Sequence, residues 1–154
     1  MSRAPTREQP LTPALELMRA RWQLNHALER VSKRMEAGLG ITAQQRMFIR
    51  LMGRRPGSTS AELARQLHLD PGTISIAVGW LEAQGLVTRR RSAHDRRVSH
   101  LFLTAKGRRL DHPAKATVER AVERLLASSS AAAIATTRRT LKELTRRLEA
   151  EAGD

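Results

Sequence analysis

The chain contains no cysteine among its 154 residues. This absence excludes disulfide bonds, zinc sites built on thiolates, cysteine nucleophiles and redox sensing through a thiol. Whatever signal the protein responds to, its own sulfur chemistry is limited to methionine.

Aromatic residues and long apolar segments are also scarce. Two Trp, two Phe and no Tyr are too few for the exposed ring platforms on which single-stranded nucleic acids stack. No run approaches the ~18–20 apolar residues of a membrane span, and the polar segment Met1–Pro13 lacks the apolar core of a signal peptide. We therefore expect a cytoplasmic protein without membrane contact.

The sequence offers no catalytic or metal-binding pattern. It contains no zinc-protease motif, no Gly-rich phosphate loop and no recognisable Ser-His-Asp setting. The five histidines are His26, His68, His94, His100 and His112. No two of them lie four residues apart on one predicted helix, and the chain has no cysteine that could complete a metal site with them. We predict no enzyme, no cofactor and no metal site, although a metal-binding sensor remains an alternative.

What the sequence has in excess is positive charge. Its 28 Lys and Arg against 15 Asp and Glu give a net charge of +13. Such a balance indicates nucleic acid or another anionic surface as a partner, and charge alone does not decide between them.

A helix-turn-helix pattern lies at the centre of the chain. Thr59 and Glu62 form a capping box before a short amphipathic helix, and Asp70-Pro71 is a typical start for a second helix. In that second helix Ile74, Ala77, Val78 and Leu81 recur at steps of three and four, which predicts one buried face. Gly72, Thr73, Ser75, Ile76 and Gly79 fall largely on the opposite face.

A basic hairpin follows this pair of helices. The predicted strands carry Arg89-Arg90-Arg91 before a polar turn and Arg96-Arg97 after it. Their mutual repulsion is unfavourable, and a neighbouring polyanion would relieve it; the alternative is a solvated charged hairpin. The resulting order is typical of a winged helix-turn-helix, in a fold that is mainly α with a small β-hairpin wing.

Helices with surplus apolar surface flank this region. The first has apolar rows on two sides, one containing Leu24 and the other Trp22, so that we expect a second subunit to cover it; helices that pack only on their own domain are the alternative. We expect Met47, Phe48, Leu51 and Met52 to line the inner face of the next helix, and a kink near Asp111-His112 before Pro113. Thr42 with Gln45 is a second expected capping box, and Thr12, Thr104 and Ser130 are expected to cap other helices. We divide the chain into a flexible N-terminal arm (residues 1–12), an N-terminal dimerisation helix (13–38), a winged helix-turn-helix DNA-binding region (41–104) and C-terminal dimerisation helices (105–154).

The chain resembles the multiple antibiotic resistance regulator (MarR) family of bacterial transcription factors over nearly its whole length. Asp95-Arg96-Arg97, then Leu101, Leu103-Thr104 and Gly107, fit the family's D-R-R-x-x-x-L-x-L-T-x-x-G signature without a gap. Leu63–Leu67 and Leu81–Val87 also fit the family pattern.

The resemblance implies a homodimer that places two recognition helices in successive major grooves of double-stranded DNA and two wings against the flanking minor grooves. It assigns contacts with DNA to eight residues: Gly72, Thr73, Ser75, Ile76, Arg91, Asp95, Arg96 and Arg97. Thr73 and Ser75 can hydrogen-bond, and Ile76 can touch a thymine methyl group. Arg96 and Arg97 resemble the pair at the minor groove, with Asp95 orienting them.

The resemblance also implies a small anionic aromatic ligand. Trp22, His26 and Arg50 could offer it a stacking face, a donor and a cation, although Trp22 as dimer core and Arg50 as a surface charge are the alternatives. We therefore predict a sequence-specific transcriptional regulator, in this family most often a ligand-responsive repressor that binds a pseudo-palindromic operator. The alternative is a sequence-indifferent architectural DNA-binding protein, since no Arg or Lys lies between Asp70 and Gln84.

Overall fold

The computed structural model describes residues 10–93, 95 and 97–153, and these form seven helices and one two-stranded antiparallel sheet. The chain divides into two compact units, the first ending at His112 and the second beginning at Pro113. The elements of the first unit are α1 (Pro13–Leu39), α2 (Ala43–Arg54), α3 (Ser60–Leu67), α4 (Pro71–Ala83), β1 (Val87–Arg91), β2 (Ser99–Leu103) and α5 (Ala105–Asp111). The second unit contains α6 (Val118–Ala127) and α7 (Ala131–Ala152).

Side-chain caps fix where the helices begin. The predicted capping boxes are confirmed at Thr42 with Gln45 and at Thr59 with Glu62. The backbone N–H of Thr59 donates to Glu62, and this bond chiefly lowers the pKa of that carboxyl group. The remaining predicted caps, Thr12, Asp70, Thr104 and Ser130, also accept backbone bonds. The local sequence therefore determines the start of each of these helices.

The core of the first unit joins α2, α3 and α4 to the hairpin. Its buried apolar side chains include Ile41, Phe48, Ile49, Met52, Leu63, Ile74, Val78, Leu81, Leu86, Val87, Leu101 and Leu103. The predicted buried face of α4 is confirmed, because Ile74, Val78 and Leu81 are almost inaccessible. This core holds α4 and the hairpin in one unit.

One expectation for α2 is wrong. Met47 is 49% exposed, and the inner face of α2 instead includes Arg46, which is 2% exposed. The Arg46 guanidinium donates to the carbonyl oxygens of Leu110 (2.5 Å) and His112 (2.9 Å) at the end of α5. A cation is favourable there because the last carbonyl groups of a helix carry partial negative charge.

The expected kink before Pro113 is a complete break. The helix α5 ends at Asp111, and His112 has extended backbone angles, φ −70° and ψ 152°. A residue that precedes proline is sterically excluded from helical angles, so the helix stops rather than bends. Helix α5 packs on α2 and lies within the first unit.

The long helices at the two ends leave much apolar surface uncovered. Met35 is the buried residue of α1, and α6 and α7 contain no buried residue. The exposed apolar side chains include Leu15, Leu17, Met18, Trp22, Leu24 and Leu28 of α1, Val122, Leu125 and Leu126 of α6, and Leu141 and Leu148 of α7. Within the described part of the chain, no helix is both long and apolar enough to cross a membrane.

We expect Arg46→Met to lower the free energy of unfolding by about 2–4 kcal/mol, because the carbonyl groups of Leu110 and His112 would lose the charged donor that is buried against them. Urea unfolding at one fixed protein concentration measures the loss. Arg54→Met is the matched control, since Arg54 lies on the same helix but is exposed; it should cost less than about 1 kcal/mol. Equal losses in the two variants would contradict the role of Arg46.

Candidate nucleic-acid interface

The start of α4 is held by its own capping residue. Asp70 Oδ1 accepts a bond from the backbone N–H of Thr73 (2.8 Å), and the Thr73 hydroxyl donates to Asp70 Oδ2. These bonds, led by that of the hydroxyl, lower the pKa of Asp70. A Cβ atom on Gly72 would lie 3.0 Å from the same carboxylate, so that glycine leaves room for the cap. The carboxylate of Asp70 thus occupies the position at which a helix N-terminus would bind a phosphate.

The outward face of α4 is uncharged. Ser75, Ile76 and Gly79 are exposed, and Thr73 is half-buried. Ile76 is 77% exposed. Of the four recognition-helix residues expected to contact DNA, Ser75 and Ile76 therefore present accessible side chains, while the Thr73 hydroxyl already has a partner in Asp70.

The hairpin has a regular register, from Val87 opposite Leu103 to Arg91 opposite Ser99. The segment before α3 extends the sheet on the other side of β2: Gly57 N–H donates to Leu101 O, and Leu101 N–H donates to Ser58 O, both at 2.9 Å. The His100 ring binds the Gly57 carbonyl oxygen through Nδ1 at 2.7 Å. The base of the wing is thereby fastened to the helix-turn-helix.

The arginines of the hairpin fall into two groups. Arg89 forms an ion pair with Glu82 of α4 (2.7 Å), and the guanidinium of Arg90 lies over the ring of Phe102, 4.9 Å from its centre. These two contacts were not predicted, although strand alternation places Arg90 and Phe102 on one face of the hairpin. Arg91 and Arg97 are exposed. Arg89 and Arg90 are exposed as well, so accessible positive charge extends along the hairpin.

Asp95 shapes that turn through the backbone. Its Oδ1 accepts a bond from the N–H of Arg97 (2.9 Å), and its carbonyl oxygen accepts one from the N–H of Val98 (3.0 Å). The expected bond from Asp95 to an arginine side chain does not occur among the described residues. Arg96 and His94 lie outside those residues, so the predicted role of Arg96 stays a prediction.

The rest of the signature closes the wing onto α5. Leu101 and Leu103 are buried. The Thr104 hydroxyl donates to the Gly85 carbonyl oxygen (2.7 Å) and accepts from the N–H of Gly107 (3.1 Å). A Cβ atom on Gly107 would lie 2.0 Å from the Leu86 carbonyl oxygen. Only glycine fits at that position with this backbone. The signature from Asp95 to Gly107 therefore includes residues required for packing as well as residues of the wing.

The three residues predicted to bind a small ligand have different surroundings. Trp22 is 69% exposed on α1, and His26 lies 3.9 Å from Glu29 with both side chains well exposed. Arg50 is less accessible, because its Nη1 lies 2.8 Å from Asp111 Oδ1. A ligand carboxylate at Arg50 would have to compete with Asp111. Among the described residues, no three His, Asp or Glu side chains are grouped as for a metal ion.

Comparison with known proteins identifies the family. The family model described as "MarR family" matches residues 39–98. An HTH-type transcriptional repressor of Mycobacterium tuberculosis is 37% identical over 93 residues, which cover 60% of this chain and 67% of the relative. The HTH-type transcriptional regulator TtmR of Methylorubrum extorquens is 32% identical over 104 residues, covering 68% of this chain and 53% of the relative.

Solved structures share the architecture. FabT of Streptococcus pneumoniae, crystallised in complex with DNA, is 29% identical with a TM-score of 0.61, over 86% of this chain and 97% of FabT. The MepR–DNA complex of S. aureus has a TM-score of 0.72 at 19% identity, over 90% of this chain and 99% of MepR. The second likeness is one of fold alone.

Proposed function

Since this chain belongs to the MarR family of DNA-binding transcriptional regulators, we propose that it is a repressor that binds a pseudo-palindromic operator as a homodimer. The family is not enzymatic. The observation that carries the proposal is the pairing, within one compact unit, of the exposed outer face of α4 with the exposed arginines of the wing. FabT, solved with DNA, supports it.

We propose that α4 enters the major groove and the wing approaches the minor groove. In this arrangement Ser75 and Ile76 contact base edges, while Gly72 and Thr73 fix the helix start close to the backbone. Arg91, Arg96 and Arg97 supply the charge, and Asp95 holds the turn that carries them. Because α4 contributes no cation, electrostatic affinity depends on the wing and other basic surfaces.

The uncovered apolar side chains of α1, α6 and α7 support the homodimer, since exposed apolar surface of this extent marks an interface. A two-fold dimer reads two half-sites about one turn, roughly 10 base pairs, apart. Bound there, it would exclude the polymerase by occupancy. We place this activity in the cytoplasm, where bacterial DNA lies.

Fluorescence anisotropy tests this proposal. The affinity of the protein is measured for the duplex upstream of its own gene and for a scrambled duplex, at salt concentrations from about 50 to 200 mM. If the protein contacts ~6–10 phosphates, this rise in salt should lower its affinity for both duplexes by about three to five decades. A specific regulator should bind the native duplex at least ~10³-fold more tightly throughout. Coinciding curves, together with uniform footprinting across longer DNA, would instead favour an architectural DNA-binding protein, which an α4 without Arg or Lys also permits.

We expect the double variant Arg96→Ala and Arg97→Ala to lose about 100-fold or more in DNA affinity. Its salt dependence should be shallower, because fewer counterions are released from DNA when a protein with fewer arginines binds. Anisotropy gives the affinity, and light scattering should find the same oligomer as for the unaltered protein. Arg146→Ala with Arg147→Ala removes equal charge from α7, where both arginines pair with Glu143. Equal losses in the two double variants would show a general charge effect and remove the wing from the mechanism.

We further propose that an aromatic carboxylate binding near Trp22, His26 and Arg50 weakens operator binding. Benzoate should then release the operator duplex, whereas acetate at the same concentration should not, because only the aromatic ring can stack on Trp22. Trp22→Leu should abolish the response and Leu24→Ala should keep it. Release by both carboxylates alike would indicate an ionic effect rather than a ligand site.

A further inference from the structure

The most exposed large apolar side chain of the described residues lies on the recognition helix. Ile76 is 77% exposed, more than Trp22 or any other of the exposed apolar side chains on the terminal helices. Leaving an isoleucine in water forgoes the favourable transfer of its apolar area. Its exposure at the centre of the outward face of α4 therefore requires a functional explanation.

The neighbours of Ile76 make it protrude. On an α-helix, residues three and four positions apart are neighbours on the surface. For Ile76 these are Thr73 and Trp80, both half-buried, and Gly72 and Gly79, which have no side chain. A Cβ atom built on Gly79 would meet nothing within 4 Å. The isoleucine is therefore a single apolar projection between two low positions, unlike the continuous apolar rows of α1.

The surroundings of Ile76 also lack positively charged side chains. From Asp70 to Gln84 the chain contains no Arg or Lys, and the accessible hydroxyl beside it belongs to Ser75. A helix of this composition cannot form the bidentate Arg or Lys contact with guanine. The apolar group that the major groove offers in exchange is the C5 methyl group of thymine.

We propose that Ile76 recognises a pyrimidine C5 methyl group at one position of each half-site, so that the protein accepts thymine or 5-methylcytosine there and discriminates against cytosine and uracil. This inference rests on the proposed binding of an operator by α4. It divides the two properties of binding between two elements: the methyl contact supplies selectivity without releasing counterions, and the wing arginines supply the salt dependence.

The test moves the methyl group from one base to the other. The full-length protein selects 30-base-pair duplexes from a randomised library made with the normal nucleotides, and from a second library in which dUTP replaces dTTP and 5-methyl-dCTP replaces dCTP. In the second library cytosine carries the methyl group and the thymine position has lost it. Enriched duplexes are sequenced, resynthesised in both forms and titrated by anisotropy.

We expect the preferred base at one position of each half-site to change from thymine to 5-methylcytosine between the libraries. In resynthesised duplexes, each thymine-to-uracil change there should weaken binding by about fourfold, the effect of burying one methyl group, and by about 16-fold for both half-sites. The slope of affinity against salt should not change. Ile76→Ala should bind the thymine and uracil duplexes equally, and Ile76→Val should restore most of the difference.

Met47→Ala is the matched control, because it truncates another exposed apolar side chain, on α2 and outside the proposed DNA contacts, and should leave the change of base intact. Ile76 makes little contact with its own protein, so Ile76→Ala should unfold at the same temperature as the unaltered protein. Selection of the same site from both libraries, with uracil accepted in place of thymine, would overturn the inference and leave the regulator standing. Failure to enrich any sequence from either library would overturn the proposed regulator and the inference together.

Discussion

The contact between the buried Arg46 guanidinium and the end of α5 is the constraint on which the first unit depends. Helix α5 has seven residues, and Leu110 is its one large apolar side chain, which is partly buried against the core. Its attachment is polar at both ends: Thr104 binds Gly85 at its start, and Arg46 binds Leu110 and His112 at its finish. Because β2 runs directly into this helix, the same contacts also fix the base of the wing. The buried guanidinium of Arg46 thus attaches α5 to the rest of the unit by hydrogen bonds to its last carbonyl groups, where a longer domain would use a larger apolar core.

Positive charge is unevenly distributed with respect to the surface proposed to meet DNA. Two of the wing arginines contact residues of their own unit: Arg89 forms an ion pair with Glu82, and Arg90 lies over the ring of Phe102. Both contacts stiffen the hairpin. Those near the turn remain exposed, while α4 has no cation. A net charge of +13 therefore does not measure the affinity of any one element. In the proposed complex, the wing would supply a long-range attraction that depends on salt, and α4 a short-range contact that depends on shape.

The sequence predicted the local structure well because local chemistry determines it. Caps at Thr42, Thr59 and Asp70 and the apolar period of α4 involve residues within a few positions of one another, and all were confirmed. The failures concern distant partners. Arg46 shares a helix face with Ile49. Nothing within the sequence of α2 reveals that carbonyl oxygens more than 60 residues away accept hydrogen bonds from its guanidinium. The sequence predicted a kink at Pro113, whereas the steric restriction that proline places on His112 ends the helix. The roles of Ser75, Ile76 and the wing arginines on DNA stay predictions.

The uncovered apolar side chains connect the architecture to the proposed operator. Apolar positions on two sides of α1, and on α6 and α7 where no residue is buried, would be unfavourable in an isolated chain. Covering them with a second copy makes the interface self-complementary and two-fold symmetric. Symmetry then relates the two α4 helices, and the rigid attachment of α4 to its core fixes each helix within its own protomer. In the proposed operator complex, the spacing of the half-sites therefore follows from how the apolar side chains of the terminal helices are covered.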